Sequence, residues 1–124
     1  MNVVDSSGWI EFFVAGPNGP WFRPAIDDQE SLIVPVIAIY EVHRRLGQIL
    51  PDKLVSTCID VMRKGRVIDL TDARAVASSR IAQAHKLALA DAAMYAIARE
   101  FRATFWTQDK DYEGLAGVKY RAKK

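Results

Sequence analysis

The sequence predicts an α/β protein in which a mostly parallel sheet is covered by helices on both faces. Short apolar runs of strand length alternate along the chain with longer segments whose apolar residues recur at helical spacing. Glycine- and proline-containing stretches separate several of these segments. Strands that alternate with helices are typical of a parallel sheet, because each helix returns the chain to the edge where the next strand starts.

The first half of the chain predicts two buried strands, each followed by helical structure. In order, the elements are a strand at 1–4, a turn at 6–8, a helix at 9–14, a helix stop at 16–20, a polar connection or short helix at 21–30, a strand at 32–34 and a helix that begins near Pro35. The core stripe predicted for that last helix is Ile39, Val42, His43, Leu46, Ile49 and Leu50. His43 is therefore expected to be a core or interface histidine.

The second half continues the alternation. The elements are a helix at 53–64 with Gly65 as its C-cap, a strand at 67–70, a helix from Thr71 or Asp72 to about Lys86, a helix opened by Asp91 and running to about Arg102, a strand at 104–107 and an edge strand at 118–120. With 124 residues and no repeat, residues 1–124 are expected to form a single domain.

Composition excludes several classes of protein. The longest apolar stretch, Leu32 to Tyr40, is too short to span a bilayer and contains Pro35, so no membrane partner is expected. Cys58 is the only cysteine and lies in a helical pattern, which favours a small buried or half-buried apolar residue. One unpaired cysteine and no signal-peptide core indicate a cytoplasmic protein.

Four acidic residues follow the predicted strands. Asp5 ends the first strand, Glu41 lies on the helix after the second, Asp91 opens a helix after the third, and Asp109 follows the fourth. In an open α/β sheet, ligands bind at the carboxyl ends of the strands where strand order reverses. Carboxylates gathered there repel one another unless a cation lies among them, and a hard divalent cation prefers oxygen ligands. The sequence therefore predicts a metal-dependent enzyme that acts on phosphate esters.

Each acid also has a simpler interpretation. The alternatives are a helix N-cap for Asp5 and for Asp91, a surface ion pair with Arg45 for Glu41, and a turn for Asp109 and Asp111, with Asp111 also able to cap a short helix. The hydroxyls of Ser6 and Thr107 are placed to orient a carboxylate or a water, or to cap the chain locally. The candidates for substrate contacts are Arg44, Arg45, Arg80 and Lys86, which could equally be ordinary surface charges.

Four sequence motifs, in order, resemble those of PIN-domain proteins. They are Asn2-Val3-Val4-Asp5-Ser6-Ser7-Gly8-Trp9, Ile39-Tyr40-Glu41-Val42, Leu89-Ala90-Asp91-Ala92 and Thr107-Gln108-Asp109-Lys110-Asp111-Tyr112. The chain is particularly similar to VapC toxins of type II toxin–antitoxin pairs, and the resemblance covers essentially all of it. Ala88 stands where many relatives carry proline. This difference removes none of the acidic residues.

The resemblance implies a PIN-like three-layer sandwich with a five-stranded sheet, ordered 3-2-1-4-5, between helices. It also implies an endoribonuclease dependent on Mg²⁺ or Mn²⁺ that leaves a 5′-phosphate and a 3′-hydroxyl. Relatives are commonly homodimers inhibited by a cognate VapB-like antitoxin. The acidic quartet of the family corresponds to Asp5, Glu41, Asp91 and Asp109, and its hydroxyl position to Thr107. Asp5, Asp91 and Asp109 are expected to hold the metal, and Glu41 to bind it or to position the attacking water.

Two other classes of function stay open at this stage. A phospho-accepting receiver domain is also α/β with acids at strand ends, but it requires adjacent acids after the first strand, where this chain has two serines. The other alternative is a non-catalytic module that binds a partner or RNA and whose acids are structural.

Overall fold

Five strands form one parallel sheet in the computed structural model, which describes residues 1–124. The strands are β1 (Asn2–Val4), β2 (Leu32–Pro35), β3 (Arg66–Ile68), β4 (Thr104–Thr107) and β5 (Val118–Tyr120). Their order is β3-β2-β1-β4-β5, and every neighbouring pair is parallel. The predicted α/β class and strand order are confirmed, and the sheet is wholly rather than mostly parallel.

Six α-helices flank this sheet. They are α1 (Ser6–Phe13), α2 (Gly19–Asp27), α3 (Val36–Leu46), α4 (Asp52–Met62), α5 (Asp72–His85) and α6 (Leu89–Glu100), with 3₁₀ turns at Gln29–Ser31 and Lys110–Tyr112. None of these helices is long and apolar enough to cross a membrane.

Helix α6 is the central helix of the core. Its residues 92–98 are all buried, and it contacts strands β1, β2 and β4. A helix that is apolar on every side gains most by complete burial, and its alanines permit close approach to the sheet. Asp91 immediately precedes this buried stretch. The core therefore holds the backbone of the first turn of α6, and with it Asp91, against the sheet.

The first two helices begin earlier than the sequence predicts. Helix α1 starts at Ser6 rather than Trp9, because the Asp5 side chain accepts a hydrogen bond from the Gly8 amide and so caps the Ser6–Gly8 turn as helix. Helix α2 starts at Gly19, since Pro20 fits the first helical turn, where no intrahelical hydrogen bond is lost.

Gly8 is needed for the close packing of α1. A Cβ atom there would lie 2.6 Å from Cε1 of Phe22 and 2.8 Å from Cγ1 of Val4, both buried. Those distances are too short for any side chain. The start of α1, which carries Asp5 and Ser6, is thereby set directly onto β1.

The predicted core stripe of α3 is wrong at two positions. The buried residues of this helix are Ala38, Val42 and Leu46, whereas His43 and Ile49 are exposed. Helix α3 ends at Leu46, so Ile49 lies beyond the helix and the helical period does not apply to it. His43 is not a core histidine.

Gly65 is not the C-cap of α4. The helix ends at Met62 with Arg63 as its cap, and Gly65 lies just before β3, where a Cβ would meet the Val34 side chain at 2.9 Å. Its lack of a side chain serves close packing rather than helix termination. Cys58 is half-buried against the core, as predicted.

Candidate metal centre

Strand order reverses between β1 and β4, and two of the four predicted acids, Asp5 and Asp109, lie at this point. The two strands are neighbours in the sheet, although the chain passes through β2 and β3 between them. Asp5 directly follows β1, and Asp109 lies two residues after the end of β4. Because the strands are parallel, both carboxylates lie at the same edge of the sheet.

Asp5 is buried and bound by three donors. Asp5 is only 2% exposed. Its Oδ1 atom accepts a hydrogen bond from the Gly8 amide at 2.8 Å. The Thr107 hydroxyl donates to Oδ2 at 2.6 Å, and the Ser7 hydroxyl lies 2.9 and 3.0 Å from the two oxygens. Asp5 therefore caps α1, as one interpretation of the sequence held. It also belongs to the group of interacting acids that we call the acidic centre, which consists of Asp5, Glu41, Asp91, Asp109 and Asp111.

Thr107 connects the two acids that flank the reversal. Its hydroxyl donates to Asp5 and accepts from the Asp109 amide at 2.9 Å. Asp109 in turn caps the following 3₁₀ turn by accepting from the Asp111 amide at 2.9 Å. Asp109, rather than Asp111, is thus the cap of that turn.

Asp91 does not cap its helix. Helix α6 begins two residues earlier, at Leu89, with Ala88 as a cap that makes no side-chain hydrogen bond. The Tyr112 hydroxyl donates to the main-chain carbonyl of Asp91 at 3.0 Å, which ties the first turn of α6 to the segment after β4. One carboxylate oxygen from each of Asp91, Asp109 and Asp111 lies within 4.8 Å of the other two. The structure thus adds Asp111, which sequence reasoning left open, to the acidic centre.

Glu41 is positioned by a serine. The Ser6 hydroxyl donates to Oε1 of Glu41 at 2.7 Å, which joins the start of α1 to α3. The surface ion pair with Arg45 is not formed, because that guanidinium donates instead to Oε1 of Gln48 at 3.5 Å. No salt bridge occupies the Glu41 carboxylate, so it remains free to act at the acidic centre.

The carboxylates affect one another electrostatically. Burial raises the pKa of Asp5 to about 6, and the charge of Asp109 adds to the rise, although the three hydrogen bonds oppose it. Burial also raises the pKa of Asp91, and the charges of Asp109, Glu41 and Asp111 act in the same direction, although the Tyr112 hydroxyl opposes the rise. All four predicted acids thus lie within electrostatic reach of at least one other.

No basic side chain of the protein neutralises this charge. The three salt bridges of the molecule are Arg23–Asp27, Arg63–Asp60 and Arg74–Glu100, all outside the acidic centre. Clustered carboxylates without an arginine or lysine partner favour an external cation. The donor set consists only of oxygen atoms, which suits Mg²⁺ or Mn²⁺.

The four basic candidates separate into two groups. Arg44 and Arg45 line a groove of about 430 Å³ that also contains Ser6 and Glu41, so they lie beside the acidic centre. Arg80 lines a different groove, between α5 and α6. Lys86 is exposed at the end of α5 and lines neither groove.

Sequence reasoning missed two side chains that organise this centre. Ser7 binds the Asp5 carboxylate, and its position two residues after an aspartate is a local signal that could have been used. Tyr112 is buried and reaches Asp91 from 21 residues away. Such a contact depends on the tertiary fold and leaves no local signal in the sequence.

The raised pKa of Asp5 predicts that the stability of the metal-free protein depends on pH in an unusual way. An acid whose pKa is raised from 3.8 to about 6 stabilises the fold while protonated, and this contribution is lost as pH rises through about 6. We therefore compare the thermal midpoints of Asp5→Asn and wild type in the presence of a chelator. The midpoint of Asp5→Asn minus that of wild type should increase as the pH is raised from 4.5 to 7.5. Asp52→Asn, at an exposed aspartate, is the control. A difference between Asp5→Asn and wild type that is constant with pH would contradict the assignment.

Comparison with known proteins agrees with this architecture. The sequence model of the family described as PIN domain matches residues 3–118.

Solved structures with the same fold include toxins and toxin–antitoxin complexes. A toxin–antitoxin complex from Klebsiella pneumoniae contains a chain that is 20% identical, with a TM-score of 0.81 over 96% of both chains. VapC20 of Mycobacterium tuberculosis, described as a sarcin-ricin loop cleaving toxin, is 14% identical with a TM-score of 0.78 over 94% of this chain and 95% of that one. DNA-bound VapBC of Salmonella typhimurium is 13% identical with a TM-score of 0.74, over 98% and 96%. A search of curated protein sequences finds no match. At these identities the structural likeness shows the fold.

Proposed function

Because the chain belongs to the PIN-domain family, we propose that it is a divalent-metal-dependent endoribonuclease. The observation that carries this proposal is the acidic centre itself. Carboxylate oxygens of Asp91, Asp109 and Asp111 lie within 4.8 Å of one another, Asp5 is near enough to Asp109 for their charges to interact, and no basic side chain offsets them. Such a centre is costly to fold unless it serves a bound cation.

The proposed roles follow from the contacts of each side chain. Asp5, Asp91 and Asp109 would hold the cation, with Asp111 close enough to contribute an oxygen. A divalent cation at such a site lowers the pKa of water and offsets charge on a phosphodiester. The Ser6 hydroxyl holds the Glu41 side chain beside the acidic centre. There the Glu41 carboxylate can orient the attacking water and accept a proton from that water. Ser7 and Thr107 keep the Asp5 carboxylate in one orientation.

We further propose that the protein is the toxin of a toxin–antitoxin pair with a VapB-like antitoxin as its partner. The support is that solved structures with the same fold over nearly their whole length include toxin–antitoxin complexes from Klebsiella pneumoniae and Salmonella typhimurium. The homodimer and the cytoplasmic location expected from the sequence stay predictions.

The sheet order argues against a receiver domain. Receivers share the flavodoxin-like order 2-1-3-4-5, whereas this sheet is ordered 3-2-1-4-5. The competing proposal is a non-catalytic module with the same fold, and an assay of cleavage separates the two.

Incubation of purified RNAs with the protein tests the proposal. We expect cleavage in Mg²⁺ or Mn²⁺, none in a chelator, and products with a 5′-phosphate that ligase accepts and a 3′-hydroxyl. Asp5→Asn should cleave at least about 100-fold more slowly, since it disturbs the metal site, while the exposed control Asp52→Asn should match wild type. Cleavage that survives both the chelator and Asp5→Asn would contradict the assigned site.

A further inference from the structure

A polar groove adjoins the acidic centre between α1 and α3. Ser6 and Glu41, which contribute to the centre, also form part of this groove, so a molecule bound there reaches the reacting position. The groove is lined by Ser6, Ser7, Ile10, Tyr40, Glu41, Arg44, Arg45 and Gln48. Only two of these residues are hydrophobic, which favours a polar ligand over an apolar helix.

Tyr40 is the one aromatic side chain on this groove. The residue is 61% exposed and its hydroxyl makes no hydrogen bond, so it contributes little to the packing of the fold. It immediately precedes Glu41 and lies one helical turn before Arg44. An aromatic ring and a guanidinium thus share one face of α3 beside the carboxylate.

The two arginines of the groove are not neutralised. Neither Arg44 nor Arg45 forms a salt bridge, although Glu41 lies on the same helix. Unpaired guanidiniums beside an acidic metal centre are suited to the phosphates that flank a scissile bond. The groove therefore combines a stacking surface with two anion-binding groups.

We propose that Tyr40 is a base-stacking residue that holds an unpaired nucleotide next to the scissile phosphate. This inference rests on the proposed ribonuclease function and adds a specificity-determining residue to it. An exposed tyrosine ring can stack only on a base that has left its own helix, so the groove selects unpaired segments. Purines, with their larger rings, should be preferred at this position over pyrimidines.

A double-mutant cycle between protein and RNA tests the proposal. All proteins carry Asp91→Asn, which prevents cleavage, and binding is measured in Mg²⁺ by fluorescence anisotropy. The probe is a single-stranded oligouridylate that carries one adenosine, so that the purine preference expected at Tyr40 fixes the register. One nucleotide of the oligonucleotide is made abasic at each position in turn. Tyr40→Leu should weaken binding about tenfold, and so should the abasic nucleotide at one position. The two changes together should cost no more than either alone.

Further variants distinguish stacking from other roles of the side chain. Tyr40→Phe keeps the ring and should bind like the parent, whereas Leu54→Ala, at an exposed apolar residue of α4, should have no effect. With 2-aminopurine at the sensitive position, binding should quench the fluorescence for the parent and Tyr40→Phe but not for Tyr40→Leu.

The possible outcomes decide the proposal independently of cleavage. Additive losses at every position, or equal binding by the parent and Tyr40→Leu, would overturn the stacking role even if the wild-type protein cleaves RNA. Coupling between Tyr40 and one base would support it even if no cleavage were found, in which case the ribonuclease proposal alone fails. Equal losses for Tyr40→Phe and Tyr40→Leu would assign the effect to the hydroxyl and reject stacking.

Discussion

Asp91→Asn is expected to abolish RNA cleavage and, at the same time, to stabilise the metal-free protein. The carboxylate of Asp91 caps no helix, and the hydrogen bond from Tyr112 reaches its main-chain carbonyl, which the substitution leaves in place. Burial and three neighbouring acids raise the pKa of Asp91 by more than the Tyr112 hydroxyl lowers it, so its ionised form opposes folding above that pKa. Asparagine has the same shape without the charge.

The measurement is a pair of thermal denaturation curves at neutral pH, with chelator and with Mg²⁺. Wild type should gain stability from Mg²⁺, because a ligand that binds only the folded state raises the thermal midpoint. Asp91→Asn should have the higher midpoint in chelator and show little response to Mg²⁺, and its cleavage rate should fall by more than about 100-fold.

Asp52→Asn is a matched control for this substitution. Asp52 also lies in the first turn of a helix, but it is exposed and outside the acidic centre. Its substitution should leave both the response to Mg²⁺ and the cleavage rate unchanged. A metal-free Asp91→Asn protein less stable than wild type would mean that the carboxylate has a structural partner, and the centre would need another explanation.

The fold could be predicted from the sequence because its main signals are local. Apolar runs of strand length that alternate with helical periodicity indicate a parallel sheet, and the edge strand Val118–Tyr120 was located correctly. The order of the strands came from the resemblance, since pairing between distant segments is not encoded in local periodicity. Boundaries failed where a side chain or a proline acted on the backbone, as with the Asp5 cap of α1 and Pro20 in α2.

The acidic residues could be predicted, but not the contacts that organise them. Each of Asp5, Glu41, Asp91 and Asp109 follows a strand in the alternating pattern, which is enough to place them near one edge of the sheet. The Ser6–Glu41 hydrogen bond joins residues 35 positions apart, and the Thr107–Asp5 bond joins residues 102 apart. Such pairings depend on how the elements pack, so the sequence could only mark Ser6 and Thr107 as available hydroxyls.

Thr107→Val is expected to destabilise the protein and to weaken cation binding in a manner that depends on pH. The buried Thr107 hydroxyl donates to the Asp5 carboxylate at 2.6 Å and accepts from the Asp109 amide at 2.9 Å. Valine has nearly the same shape but makes neither bond, which removes one of the three donors to Asp5 and leaves the Asp109 amide without this acceptor. The loss should be about 2–3 kcal/mol of unfolding free energy, measured by denaturant titration.

The effect of Thr107→Val on cation binding should shrink as pH rises. The hydrogen bond from Thr107 lowers the pKa of Asp5, so its removal raises that pKa further above about 6 and leaves more of the carboxyl protonated near neutral pH. Calorimetry at pH 6, 7 and 8 should show the largest loss of Mg²⁺ affinity at pH 6, because protons then compete best for Asp5. Thr107→Ser should restore the affinity, and Thr104→Val, at an exposed threonine of the same strand, should have none of these effects. A loss of affinity for Thr107→Val that is equal at all three pH values would show that the hydroxyl acts through geometry alone and not through the charge of Asp5.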